Sequence, residues 1–153
     1  MDSQSVVHST FVIERTYPVA PERVFAAFAD PAKKRRWFYP GQGAQIEEHE
    51  MNFRVGGIER KTFRVEQGMS CRNDTIYQDI VPDKRIVFAY TMSLGDHRIS
   101  ASQGTVELLS DGKKTRLIFT EQAAFFEGAD GPQMRENGWI SLFAQLERHL
   151  VQS

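Results

Sequence analysis

A chain of 153 residues with 41% apolar and 25% charged residues has the material for one globular core and no more. Its net charge of −1 provides no field for nucleic acid or an anionic membrane, and no apolar run approaches the ~20 residues of a membrane-spanning helix. Cys71 is the only cysteine, which excludes an intrachain disulfide and a thiolate metal cluster. Residues 1–9 lack a basic-then-apolar leader, so the expectation is a cytoplasmic protein with a flexible segment 1–9 and a single domain over 10–153.

Residues 10–17 are β-branched and aromatic and predict a strand that Pro18 and Pro21 end. Val24, Phe25 and Phe28 then recur at helical spacing. Asp30-Pro31 closes that short helix and opens a second over 32–38, with Asp30 as N-cap and Pro31 as first residue. Lys33-Lys34-Arg35-Arg36 spread around this helix and read as a solvated face. A glycine-containing loop follows over 41–44. From there to about Gln122 the period becomes two. Strands over 46–55 and 58–66 flank Gly56-Gly57, a two-residue hairpin signal. A turn at Gln67-Gly68 leads to a strand over 70–81, whose inward face alternation leaves open between Thr75/Tyr77/Asp79 and Ile76/Gln78/Ile80. Strands over 85–94, 98–109 and 115–122 complete the set, separated by turn residues around Pro82-Asp83, Gly95-Asp96 and Asp111-Gly112. Alternation puts Ile86, Phe88, Tyr90, Met92, Gly104, Val106, Leu108, Leu117, Phe119 and Glu121 on one face.

The last stretch, 132–151, opens on Pro132 and a run beginning at Met134. It carries Trp139, Leu142, Phe143, Leu146 and Leu150 on one helical face. Gln133, Arg135, Glu136, Gln145 and Arg148 are expected on the watered side. About seven short-linked strands form antiparallel neighbours, and such a sheet twists and curls. The predicted fold is therefore α+β: a curved antiparallel sheet of about seven strands around the long C-terminal helix, with two short helices after the first strand closing one end.

Val19-Ala20-Pro21-Glu22-Arg23-Val24-Phe25, then Phe28-Ala29-Asp30-Pro31 and Trp37, resembles the opening of START-like (SRPBCC, Bet v-like) helix-grip proteins. Within them the chain is similar to the branch named after the activator of the heat-shock-ninety ATPase. Phe53 to Gly57, Ile80 to Phe88, Gly112 to Phe119, and Gly138-Trp139 with Leu142, Leu146 and Leu150 match in order. The resemblance covers about residues 10–151 and implies a helix-grip fold, which hosts many unrelated functions.

A sheet curled around a helix leaves a cavity unless large side chains fill it. The residues expected to line it are Trp37, Phe38, Phe53, Phe63, Tyr77, Phe88, Tyr90, Met92, Phe119, Trp139 and Phe143, with Tyr77, Tyr90, Arg60 and Glu121 as the polar minority. The competing reading makes most of these aromatics plain core, where each contributes roughly 1.5–3 kcal/mol by burial alone. Glu121 follows Leu117 and Phe119 at period two. It is a candidate ligand anchor or general acid or base, although a place near the strand's end, meeting solvent or an arginine, is the favoured reading.

No His-Glu-x-x-His pair occurs, Gly41-Gln42-Gly43 lacks the third glycine of a dinucleotide loop, and no Gly-x-Ser-x-Gly elbow exists, so neither metal nor cofactor is expected. Cys71 reads as a small strand residue. The leading function is the binding of a small apolar or amphipathic ligand between sheet and helix. The alternatives are a polyketide cyclase- or hydrolase-like enzyme using the cavity's polar groups, and a co-chaperone-type interaction module. Residue 10 already begins the first strand, so the N-terminal module that precedes this one in that family is not expected. A sheet edge or helix face could pair two copies.

Overall fold

A computed structural model describes residues 5–39, 44–65 and 68–152. Its elements run β1 (Val7–Tyr17), α1 (Pro21–Ala29), α2 (Pro31–Arg35), β2 (Ala44–Met51), β3 (Ile58–Val65), β4 (Ser70–Val81), β5 (Arg85–Leu94), β6 (His97–Asp111), β7 (Lys114–Phe125) and α3 (Pro132–Gln152). The strands form one 7-stranded antiparallel sheet in the order β1-β7-β6-β5-β4-β3-β2. This is the predicted α+β helix-grip architecture. Strand β1 starts at Val7 and so takes Val7, His8 and Ser9 out of the segment expected to be flexible. The glycine loop over 41–43 and the Gln67 half of the predicted turn lie outside the described residues.

Alternation delivers the core. Ile86, Phe88, Tyr90, Val106, Leu108, Leu117 and Phe119 are buried on the concave face, joined by Trp139, Phe143, Leu146 and Leu150 of α3. Phe119 and Trp139 meet at a centroid distance of 4.4 Å, and the Tyr17 hydroxyl donates to the Phe143 carbonyl at 3.0 Å. The short helices close one end. Asp30 caps α2 by accepting from the Ala32 N–H at 2.9 Å, as expected, and Trp37 donates its indole N–H to the Ala27 carbonyl at 2.9 Å.

Three local expectations change, and the open facing of β4 is resolved. Gly56-Gly57 is not a two-residue hairpin: β2 ends at Met51, and the chain loops over 52–57 before Ile58. Gly56 takes φ +83°, and a Cβ on Gly57 would lie 2.0 Å from the Asn52 carbonyl oxygen, so both glycines serve a compact loop rather than a hairpin tip. That loop docks on β4, where the Gly56 N–H donates to the Tyr77 carbonyl at 2.7 Å. In β4 a bulge between Tyr77 and Asp79 reverses the alternation. Tyr77 points inward, Asp79 outward to Arg85 at 2.7 Å, and Ile80 inward again, so no single face runs the length of the strand. Helix α2 stops at Arg35 instead of running to residue 38, and its Lys34 is buried rather than solvated. In α3 the polar residues Arg135 and Gln145 are buried, while Met134 is 66% exposed.

Candidate functional site

A cleft of about 380 Å³ opens between the first half of α3, the inner face of β3–β5 and residues Phe38 and Tyr39. Phe38, Phe63, Tyr90, Met92 and Trp139, all expected in the lining, are in its walls. Leu94, Ile99, Met134 and Leu142 add apolar surface, and Lys61, Asn73, Asp130 and Arg135 add polar groups. A smaller space of about 20 Å³ adjoins it across the shared walls Phe38, Asn73, Tyr90 and Trp139, and Phe53, Tyr77 and Phe88 line that one. Trp37, Phe119, Phe143 and Glu121 are buried in packed core and line neither space. Arg60 faces the other side of the sheet altogether, where it donates to Asp74 at 2.8 Å. Arg60 and Phe63 are three apart in one strand, so they cannot share a face.

The residues that do share the face of Phe63 are Glu59 and Lys61, both 3% exposed. Glu59 is the centre of a buried polar cluster. It accepts from Lys34 Nζ at 2.6 Å, from His49 Nε2 at 2.8 Å and from the Tyr77 hydroxyl. Arg35 Nε donates to His49 Nδ1 at 2.9 Å, which leaves Nε2 as the imidazole N–H facing Glu59. Burial alone would raise the Glu59 pKa, but the Lys34 ammonium and these donors hold it down at about 2. Tyr77 is pushed up by burial and by Glu59, so it stays a neutral donor.

A second cluster fastens α3 to β5–β7. The Tyr90 hydroxyl donates to Glu121 Oε1 at 2.8 Å and accepts from Arg135 Nη1 at 3.1 Å and from the Trp139 indole at 3.3 Å. Arg135 forms a two-point pair with Asp130 at 2.8 and 2.9 Å and donates to Ser100 at 2.9 Å. Glu121 is fully buried and does meet an arginine, with Arg135 3.8 Å away, but it meets no solvent. Burial raises its pKa to about 7, against the pull of Tyr90, Arg135 and Ser102.

Lys61 belongs to neither cluster. Its Nζ donates to the Phe38 carbonyl at 3.1 Å and lies 3.4 Å from the centre of the Phe38 ring. Burial, with help from Lys34, lowers its pKa to about 7 against the opposing charge of Glu59. Cys71 is half-buried, and burial raises its thiol pKa, which leaves it a poor nucleophile. Among the described residues no group of three or more His, Cys, Asp or Glu side chains is placed to hold a metal ion, and no helix is long and apolar enough to cross a membrane.

Glu59, Lys61 and Arg135 are absent from the expected lining, yet the sequence holds a signal for each. Once Phe63 is inward, Glu59 and Lys61 follow at period two. Once Trp139 is inward, Arg135 follows one helical turn earlier. The burial of Lys34 had no such signal, because it depends on a carboxylate from a distant strand.

The family model described as Activator of Hsp90 ATPase homolog 1-like protein matches residues 18–151. Among solved structures, a Rhizobium loti protein is 51% identical with a TM-score of 0.88, covering 95% of this chain and 99% of its own. A Rhizobium leguminosarum protein is 38% identical with a TM-score of 0.92, covering 97% and 98%. An AHSA1-like protein from Aeromonas hydrophila shares the fold at 17% identity and a TM-score of 0.73, covering 94% and 93%. No match is found among curated proteins. With almost its whole length matched, the chain belongs to the Activator of Hsp90 ATPase homolog 1-like family, within the helix-grip superfamily.

Proposed function

We propose that this protein binds a small apolar or amphipathic molecule in the cleft between α3 and β3–β5. The supporting observation is the cleft itself: about 380 Å³ with mostly apolar and aromatic walls and a few buried polar groups. Small-molecule sites typically fall at roughly 300–1,000 Å³ with that kind of lining. The enzymatic reading is weaker because its acid and base are already engaged. The Tyr90 hydroxyl makes three hydrogen bonds, Tyr77 is committed to Glu59 and Lys34, and Glu121 lines neither space. A thermal-shift screen against fatty acids, flavonoids and polyketides tests the proposal. A binder present at about 100 times its Kd adds ~2.7 kcal/mol and raises Tm by several degrees. A panel without a single upward shift contradicts it.

A further inference from the structure

Among the described residues three cations are buried on the inner side of this sheet, and two of them have carboxylates. Lys34 has Glu59, and Arg135 has Asp130, with Glu121 behind it. Among the described residues Lys61 has no carboxylate within ion-pair distance, although its residue is 3% exposed. An ammonium in such surroundings is costly unless paired. Directly across the β3–β4 ladder from Lys61 is Asn73, so the two side chains stand side by side on the same face, and both line the cleft. Asn73 Oδ1 is buried with no hydrogen-bond partner. A cation lacking an anion thus sits beside an amide with unused hydrogen-bonding capacity, at the base of an apolar cleft.

We propose that Lys61 and Asn73 form a head-group site and that the cleft takes amphipathic monocarboxylates. One carboxylate oxygen accepts from the Lys61 ammonium. The other accepts from the Asn73 amide, which exchanges donor for acceptor by a half-turn. The apolar body lies against Phe63, Met92, Leu94 and Leu142. Arg135 is not the anchor, because Asp130, Ser100 and Tyr90 already take four of its five donors and Asp130 balances its charge. This inference rests on the cleft being a binding site and adds the chemistry of its ligand.

The charged and titratable groups around Lys61 are Glu59 on its own strand, His49 directly across the β2–β3 ladder, Lys34 from α2, Cys71 from β4, and Tyr39, Tyr90, Asp130 and Arg135 in the cleft walls. A bound carboxylate adds a negative charge to this set and favours the ammonium, so binding above neutral pH draws a proton from solution.

The test is calorimetric titration of decanoate and decanol into the wild type and Lys61→Met, repeated at pH 8 in buffers of different ionisation enthalpy. The wild type is expected to bind decanoate at least about tenfold more tightly than decanol, ~1.4 kcal/mol. K61M loses that preference while its decanol affinity holds, and decanoate binding at pH 8 takes up a proton in the wild type alone. Equal wild-type affinities overturn the head-group site and leave the cleft standing, as does an unchanged preference in K61M. A wild type that binds neither compound overturns the cleft reading with it. The wild-type preference and proton uptake decide the matter even if K61M fails to fold.

Discussion

Lys34 Nζ donates to Glu59 Oε1 at 2.6 Å, joining α2 to β3 with side-chain exposures of 9% and 3%. Removing one partner strands the other charge in a dry site, at a cost of about 3–5 kcal/mol. Lys34→Met and Glu59→Gln are each expected to lower the urea midpoint strongly. The double variant Lys34→Met/Glu59→Leu is expected to recover only part of the loss, because the buried His49 Nε2–H and Tyr77 hydroxyl then lack their acceptor. Because Glu59 is held at about 2, its contribution is complete above the ordinary carboxylate value and disappears as the pH falls toward 2.

Gly104 gives Phe88 and Phe119 the room in which they pack. A Cβ there would lie 2.6 Å from Phe88 Cζ and 3.1 Å from Phe119 Cε1. Gly104→Ala is expected to destabilise by about 1–3 kcal/mol through displaced rings. Adding Phe88→Leu to the same protein should return part of it, read as non-additivity in denaturant melts.

Glu121 gives the opposite pH dependence from Glu59. Its native pKa of about 7 is above the unfolded value, so between ~4.5 and ~7 the unfolded chain has released a proton that the folded protein still holds. Stability from this group therefore falls as the pH rises through that window. Glu121→Gln cannot ionise, and its stability curve should lose this downward slope while keeping the acid limb due to Glu59. An unchanged slope in Glu121→Gln would show that the carboxyl titrates alike in both states.

The fold was readable because two periodicities, 2 in the strands and 3.6 in α3, each mark one buried face, and short turns force antiparallel order. The local expectations that change do so where a bulge or a loop interrupts a period. The bulge after Tyr77 hid the inward face of β4, and the loop at 52–57 replaced the hairpin expected at Gly56-Gly57. The cleft was half legible. Met92 follows from alternation and Trp139 from the helical period, whereas Arg60, three residues from Phe63, belongs to the opposite face of its strand. Lys34, His49 and Glu59 come from separate elements, and their meeting depends on tertiary geometry. Polarity alone predicts water for Arg135 and Gln145, and the structure buries both. Asp130 and Tyr90 satisfy the first, and the Trp37 and Tyr39 carbonyls accept from the second at 2.6 and 2.8 Å.

Gly138 is exposed in α3, lines the cleft, and would meet nothing within 4 Å if given a Cβ. Gly138→Ala should therefore stabilise by up to ~1 kcal/mol, since glycine inside a helix costs backbone entropy. Gly138→Phe adds bulk at the cleft without disturbing the packed core. Whether the cleft receives a small molecule is tested most directly by titrating decanol into the wild type, Gly138→Ala and Gly138→Phe. The first two should bind alike, and Gly138→Phe should bind at least about tenfold more weakly, ~1.4 kcal/mol, while melting no lower than the wild type. Undiminished affinity in Gly138→Phe, or a wild type that gives no binding heat at any temperature tried, would contradict it.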